Sequence, residues 1–142
     1  MREILFRGKT SQGKWVYGSL IQADEYCCIL EDESKVHPMH WPYLDPDLGI
    51  FDGRATPVDP ETIGQYTGKD DVDGKKIFDG DIVQFCEDDK YTFEVIYNGC
   101  EWLPVNDFDS RLKHYRCNLL NFHQLKVIGN LFDNTKLLER KE

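Results

Sequence analysis

The sequence predicts a mostly β, β-rich α+β fold, with short strands in bent, barrel-like small sheets. Aromatic and β-branched residues alternate with polar ones over short stretches, most clearly in residues 91–97. Turn residues separate these stretches, and five of the six prolines lie between residues 34 and 61. Because proline lacks a backbone donor, neither a long helix nor a central strand is expected there.

Two strands are expected at the start of the chain, over residues 2–8 and 14–22, on either side of a turn at Thr10–Gly13. Glycine at the end of this turn accepts backbone angles that other residues avoid. Residues 26–31 form a third strand candidate. The proline-rich residues 34–61 are interpreted as a connecting excursion with one short strand.

Three further strands are predicted in the middle of the chain, over residues 62–67, 76–78 and 81–87. Turns that contain glycine separate them, first at residues 68–74 and then at Asp79-Gly80. Turn residues between short apolar runs are typical of sheets with tight connections.

The last third of the chain mixes strand and helix patterns. Asn98-Gly99 follows the strand at residues 91–97 and favours a two-residue hairpin into residues 101–105, because both residues tolerate positive φ. One short helix is predicted near 110–122, where apolar residues recur at helical spacing. A final strand is expected at residues 125–132, followed by a helical turn.

The chain is predicted to form a single domain over residues 1–142, with two lobes as the alternative division. The first lobe, residues 1–60, would hold the N-terminal hairpin and the proline-rich excursion. The second, residues 61–142, would be a small β-barrel-like lobe.

Composition and charge restrict the functions to consider. The 142 residues carry a formal net charge of −9, which repels nucleic-acid phosphates at long range and disfavours nucleic acid as a partner. No apolar run reaches the ~18 residues of a membrane span. The start of the chain lacks the apolar core of a signal peptide, so a cytoplasmic location is expected.

Cys28, His37 and His40 form the best candidate for a metal site, because thiolate and imidazole ligands suit zinc. Cys27 and Cys28 are adjacent on a predicted strand and point to opposite faces, so only one can join the histidines. The alternative is two buried thiols and two loop imidazoles without a metal. The five cysteines include no CxxC pair, which favours free thiols in a reducing compartment. No cofactor is expected.

Residues 70–74 resemble a calcium-binding loop only in composition. The calcium-binding pattern needs an acidic residue at its first position, where Lys69 stands, and a helix on each side. A turn between two strands fits better, since Asp tolerates turn geometry and Gly74 accepts positive φ.

No catalytic motif is found in the sequence. It contains no phosphate-binding GxxxxGK[ST] loop, no GxSxG elbow and no HExxH helix. Acidic runs such as Glu87–Asp89 are interpreted as solvated loops, because an acid–base pair needs two carboxyl groups in different environments within a cleft. The protein is therefore predicted not to be an enzyme.

One basic segment, residues 110–132, interrupts the acidic background with four basic residues and no acidic one. Basic and aromatic groups together can hold a phosphate backbone and stack bases. The candidate nucleic-acid-binding residues are Lys113, Tyr115, Arg116 and Lys126. The alternatives are an amphipathic helix with a solvated basic face, and a face that docks on the acidic surface of another copy.

Three stretches of the sequence resemble the YopX family of phage and prophage proteins, over nearly the full length of the chain. They are Arg7-Gly8 with Lys14–Gly18, Thr62–Gly68 with Asp73–Val83, and Val127–Asn134 with Leu137-Leu138. The chain departs from the family pattern at Lys69, where leucine is common, and at Thr135-Lys136, where Pro-Glu is frequent. The resemblance implies bent sheets in barrel-like lobes, a gene carried on mobile elements and no assigned catalytic residue.

The expected function is that of a phage or prophage accessory protein that binds a host or phage protein without catalysis. Three tryptophans and seven tyrosines supply the aromatic side chains that interfaces favour, and a homo-oligomer is a further expectation. A single-stranded nucleic-acid-binding small barrel is the first alternative. A metal-dependent enzyme centred on His37 and His40 is the second. The expected location is the cytoplasm of a bacterial host.

Overall fold

The computed structural model describes residues 3–22, 26–31, 55–85, 92–98, 101–106 and 124–138. These residues form ten β-strands, two short 3-10 helices and no α-helix, so the prediction of a mostly β protein is confirmed. The helix predicted near 110–122 lies outside the described residues. No helix within the described ranges is long and apolar enough to cross a membrane.

The strands are numbered in chain order. They are Phe6–Lys9 (β1), Trp15–Gln22 (β2), Cys27–Glu31 (β3), Ala55–Pro57 (β4), Gly64–Asp70 (β5), Lys76–Phe78 (β6), Asp81–Phe85 (β7), Thr92–Asn98 (β8), Glu101–Val105 (β9) and Leu125–Asn130 (β10). The 3-10 helices span Pro60–Thr62 and Thr135–Leu138. Each strand predicted from the sequence is present, although the first begins later than expected, at Phe6.

A six-stranded antiparallel sheet has the order β4-β3-β2-β1-β5-β6. β1 pairs with β2 as predicted, with Lys9 opposite Trp15. The Gly13 N–H donates to the Thr10 carbonyl oxygen at 3.0 Å and closes the connecting turn. Gly13 has a φ of 81°, a conformation that glycine adopts without the steric cost of a β-carbon.

A four-stranded antiparallel sheet has the order β10-β7-β8-β9. β8 and β9 form the predicted hairpin, but Asn98 pairs with Glu101, so the two connecting positions are 99 and 100 instead of the predicted Asn98-Gly99. The pairing of β10 with β7 shifts by one residue between Val127 and Gly129, which places a β-bulge at a glycine.

The chain divides into two compact units, Met1–Gln65 and Tyr66–Glu142, each with its own core. The first core is built on Val16, Ile29 and Val58. The second core consists of Ile77, Val83, Phe93, Val95, Trp102, Leu125 and Val127. Val83, Phe93, Val95, Leu125 and Val127 occupy alternate positions of the paired strands β7, β8 and β10, so these core side chains share one face.

Neither sheet closes on itself within the described residues, so the expectation of barrel-like sheets is wrong. Within the described part of the chain, the end strands β4, β6, β9 and β10 each pair with one neighbouring strand. Closure needs a ladder between the first and last strands. In the six-stranded sheet these strands have three residues each and offer little length for such a ladder.

The turn between β6 and β7 depends on Gly80 and Asp81. Gly80 has a φ of 87°. The buried Asp81 carboxylate accepts a hydrogen bond from the Phe78 N–H at 2.8 Å. Hydrogen bonds to a carboxylate are stronger than those between neutral groups. Gly80 and Asp81 therefore stabilise this turn of the fold.

Candidate functional site

The candidate nucleic-acid-binding residues lie mostly outside the described part of the chain. Lys126 is exposed on β10. Lys113, Tyr115 and Arg116 fall outside the described ranges, so the structure describes Lys126 alone among the four. Their role stays a prediction.

Cys28 is the described member of the predicted metal site, and His37 and His40 lie outside the described residues. The Cys28 side chain is buried on β3. Burial raises the pKa of its thiol, and the neighbouring Cys27 raises it further. A raised pKa disfavours the thiolate that zinc binds. Within the described residues no three His, Cys, Asp or Glu side chains form a group suited to a metal ion.

The metal site therefore stays a prediction, and the metal content of the protein tests it. Stoichiometric zinc in protein purified without a histidine tag would support ligation by His37 and His40. A metal-free preparation would contradict it.

Residues 70–74 form the turn that the sequence favours over a calcium loop. Asp71 Oδ1 accepts hydrogen bonds from the N–H groups of Asp73 and Lys75, both at 2.9 Å. The Gly74 N–H donates to the Asp71 carbonyl oxygen at 3.1 Å. These bonds engage the Asp71 carboxylate with backbone amides, which confirms the interpretation as a turn.

A hydrogen-bonded turn after β10 holds Phe132 in place. Asn130 Oδ1 accepts from the N–H groups of Phe132 at 3.0 Å and Asp133 at 2.9 Å. Asn130 Nδ2 donates to Asp133 Oδ2 at 3.1 Å. The sequence-based strand extended through residue 132, but the Asn130 side chain ends it by binding these amides itself. The Phe132 side chain is 38% exposed.

Asn134 closes the same turn from its other end. Its N–H donates to the Asn130 carbonyl oxygen at 2.9 Å, and its Oδ1 accepts from the Asn130 N–H at 3.3 Å. A β-carbon on Gly129 would lie 2.5 Å from Asn134 Oδ1, so glycine permits this close approach. The motif residues Gly129, Asn130 and Asn134 thus have structural roles, whereas the phenyl ring of Phe132 is exposed.

A second exposed ring lies on β8. Tyr97 pairs with Trp102 of β9, and the two ring centroids are 4.8 Å apart with an interplanar angle of 55°. Trp102 belongs to the second core, whereas Tyr97 is 54% exposed. Tilted aromatic pairs at this separation are favourable, so the core tryptophan fixes the position of the tyrosine ring.

Tyr97 and Phe132 lie at the same end of the four-stranded sheet. The Gly80 N–H donates to the Val95 carbonyl oxygen at 2.9 Å, and the Leu131 N–H donates to the Gly80 carbonyl oxygen at 2.7 Å. Gly80 therefore lies between the backbones of Val95 and Leu131, which are about 10 Å apart at two strand spacings. We refer to the two exposed rings as the Tyr97–Phe132 surface.

The outer edge of β9 lacks a backbone donor near its centre. The Val95 carbonyl group points to Gly80 and therefore away from β9. Val95 and its β9 partner Pro104 are thus a pair without mutual hydrogen bonds, and the Pro104 backbone faces away from β8. Proline has no N–H, so a strand of another molecule would lose a hydrogen bond at this position.

The β1–β2 hairpin carries basic and aromatic side chains that the sequence analysis missed. Arg7 pairs with Tyr17, and Lys9 pairs with Trp15, so the four share one face, here named the hairpin face. Arg7 Cζ and Lys9 Nζ lie 4.8 Å and 5.8 Å from the Trp15 ring centroid. The sequence signal was three basic residues and no acidic one in residues 4–22.

The fold is that of a small β protein with open antiparallel sheets. The motif residues Asp81, Asn130 and Asn134 form hydrogen bonds within turns, so their main role is to stabilise the fold. The chain belongs to the YopX protein family, whose model matches residues 5–139, so the resemblance is confirmed. The crystal structure of protein EF1440 from Enterococcus faecalis is similar, with a TM-score of 0.60 and 22% identity. The match covers 98% of this chain and 100% of that chain.

This likeness at 22% identity supports the fold alone. No curated protein matches the sequence.

Proposed function

We propose that this YopX family protein is a non-enzymatic phage or prophage accessory protein that binds a host or phage protein. The observation that carries the proposal is the Tyr97–Phe132 surface. One ring is held by a tilted contact with Trp102, and the other is presented by a turn whose backbone amides bind the Asn130 side chain. Exposed aromatic rings in fixed positions are frequent anchors of protein interfaces.

The partner binds through side chains rather than by adding a strand to the four-stranded sheet. Pro104 removes a donor from the outer edge of β9. On β10, the Val127 N–H and the Leu125 carbonyl oxygen bind Asp71 and Val72 of the turn after β5. Both edges are therefore poor templates for a further strand.

An affinity pull-down of the tagged full-length protein from host lysate, with and without nuclease, tests the proposal. We expect a discrete protein partner that survives nuclease treatment. Recovery of nucleic acid alone, or loss of all proteins on digestion, would contradict it. Light scattering on the purified protein tests the related proposal of a homo-oligomer.

Single-stranded nucleic acid is the second candidate ligand, favoured by one observation, the hairpin face. Lys9 Nζ lies beside the Trp15 ring and the Tyr17 ring is exposed, whereas Arg7, the other cation near that indole, is buried. Such a combination suits phosphate contacts and base stacking, although the net charge of −9 opposes it.

Binding of a labelled oligonucleotide at increasing salt tests this second candidate. Affinity should fall steeply with salt and should weaken in Lys9→Ala and Tyr17→Ala if the hairpin face is the site. Weakening confined to Arg116→Ala would instead favour the segment at residues 110–132. Absent or salt-insensitive binding would remove the candidate.

A further inference from the structure

We propose that a second copy of this chain binds along the free edge of β2 at Ser19–Gln22, antiparallel to the same segment of the first copy. The six-stranded sheets of the two copies then meet across a twofold axis at Ile21. The inference goes beyond the proposed host or phage partner and gives the related homo-oligomer a defined surface.

β2 extends beyond the strand on its β1 side. It pairs with β3 as far as its last residue, Gln22, whereas β1 reaches only Gly18, which lies opposite Phe6. In the part of the chain that the structure describes, no strand pairs with the other edge of Ser19–Gln22. Residues 3–5, which precede β1, belong to no strand. The last residues of β2 therefore have one edge without a ladder.

The backbone groups of Leu20 and Gln22 point to this free edge. The Thr10 N–H donates to the Lys14 carbonyl oxygen at 2.8 Å, and every second pair of the antiparallel ladder from there is hydrogen-bonded, up to the pair at Gly18. Alternate residues of a strand direct their backbone groups to the same side, so Leu20 and Gln22 face the same way as Gly18. No hydrogen bond joins these N–H and C=O groups to any described residue.

The ladder between β2 and β3 gives the same direction. The Val58 N–H donates to the Cys27 carbonyl oxygen at 3.0 Å, so Cys27 directs its backbone to β4. Cys28 then directs its backbone to β2 and bonds Ile21, whereas Gln22, opposite Cys27, faces away from β3. Both ladders therefore leave the same backbone groups of β2 available to a further strand.

The free edge is complementary to itself. When two copies align antiparallel about Ile21, Leu20 of each copy lies opposite Gln22 of the other, and each such pair exchanges two backbone hydrogen bonds. The two Ile21 residues then form the pair without backbone bonds, in which side chains approach most closely. Ile21 is half-buried and apolar, so this contact removes apolar area from water in both copies.

Of the sheet edges in the described ranges, the others are protected against such pairing. Pro57 lies on β4 and Pro104 on β9, while Asp71 and Val72 engage the edge of β10. β6, the remaining end strand, has only three residues. Proline, charge and short length are the usual features that prevent association through edges. Ser19–Gln22 contains no proline and no charged residue, so its sequence permits pairing with another strand.

The net charge does not oppose the contact itself. Each copy carries −9, so two copies repel one another at long range, but the segments that meet are uncharged. Because salt screens this repulsion, association through Ser19–Gln22 should strengthen as the salt concentration rises. Binding of nucleic acid or of a basic protein weakens under the same conditions, so the salt dependence distinguishes a second copy from these partners.

Sedimentation velocity of the full-length protein tests the inference. A contact limited to a short strand segment of each copy is small beside the ~1,200 Å² of stable interfaces, so we expect a weak dimer between about 10 μM and about 1 mM. Amide hydrogen exchange followed by NMR locates the contact. Protection of Leu20 and Gln22 should rise with protein concentration, whereas Ser19 and Ile21, which face β3, should not change.

Gln22→Pro and Gln22→Ala form a matched pair of variants at an exposed position. Proline removes one outward N–H group from each copy and no bond to β3, so it should weaken the dimer Kd by about tenfold or more. Alanine keeps the N–H group and should leave Kd nearly unchanged. Ile21→Lys places two like charges opposite each other and should weaken Kd severalfold. Thermal unfolding establishes that each variant retains the fold.

Three results would overturn the inference. A monomer at about 1 mM would do so and would leave the host or phage partner to be tested by the pull-down. A dimer equally stable in Gln22→Pro and Gln22→Ala would place the contact elsewhere. Protection of Leu20 and Gln22 that is independent of concentration would identify the N-terminal segment of the same chain as the occupant, because the register places Ile4 opposite Leu20.

Discussion

The Asp71 carboxylate accepts a hydrogen bond from the Val127 N–H, with 3.1 Å between Oδ2 and N, across 56 positions of sequence. Beside it, the Val72 N–H donates to the Leu125 carbonyl oxygen at 3.0 Å. β10 pairs with β7 on its other side. The turn after β5 therefore occupies backbone groups on the outer edge of β10, and the Asp71 side chain links two distant parts of the second unit.

Asp71→Asn is expected to lower the free energy of unfolding by about 1–3 kcal/mol. The buried carboxylate accepts bonds from the N–H groups of Asp73, Lys75 and Val127. An amide replaces one acceptor oxygen with an NH2 group, which would face at least one of these donors. Urea unfolding monitored by tryptophan fluorescence measures the loss.

Asp73→Asn is the matched control, because it removes the same charge from an exposed position in the same turn. We expect its free energy of unfolding to stay within ~0.5 kcal/mol of the native value. Equal losses in the two variants would show that local charge, rather than the buried hydrogen bonds, decides stability here.

The turn at residues 70–74 could be predicted from its sequence, but the role of Asp71 could not. Asp and Gly favour turns through local backbone preferences, which are readable from neighbouring residues. The bond to Val127 depends on strand order, and no local pattern distinguishes Asp71 from Asp70 or Asp73. The open sheets could not be predicted for the same reason. Frequent turn residues predict short strands, but whether a sheet closes into a barrel depends on the order in which the strands pair.

Gly18→Ala is expected to destabilise the protein by at least ~2 kcal/mol. A β-carbon on Gly18 would lie 1.9 Å from the Leu30 carbonyl oxygen, so the backbone of β3 would have to move. Gly74→Ala is the comparison, because no atom lies within 4 Å of its β-carbon position and only its φ of 81° is unfavourable for alanine. Thermal unfolding should show the larger loss for Gly18→Ala, and the reverse order would contradict close packing at Gly18.

The faces of β2 show a second limit of sequence-based prediction. Apolar and aromatic residues occupy both faces of this strand, so alternation identifies the strand without identifying its buried side. In the structure Val16 belongs to the first core, whereas Trp15 and Tyr17 share the hairpin face with Arg7. The exposure of Phe132 could not be predicted either, because the sequence around it favours a strand through residue 132. The structure shows that the Asn130 side chain ends this strand by binding a backbone amide.

Asn106→Ala is expected to lower the free energy of unfolding by about 1–3 kcal/mol. The buried Asn106 Nδ2 donates to the carbonyl oxygens of Thr92 at 2.8 Å and Leu138 at 3.0 Å. Alanine leaves both carbonyl groups without this donor. Thr92→Val, which removes one bond from Thr92 Oγ1 to the Leu137 carbonyl oxygen, should cost less. Denaturant unfolding compares the two, and an equal or larger loss in Thr92→Val would contradict the prediction.

Cys28 should make the stability of the protein depend on pH in the alkaline range. Burial, together with the neighbouring Cys27, raises the pKa of the folded Cys28 thiol above its ordinary value, so the folded state favours the neutral thiol. Its contribution is therefore fully present below the ordinary thiol pKa of about 8.5 and is lost as the pH rises through the folded pKa. Denaturant unfolding under reducing conditions should show that the native protein loses stability relative to Cys28→Ala as the pH rises above the ordinary thiol pKa. The other cysteines are the same in both proteins, so a difference that stays constant with pH would contradict the raised pKa.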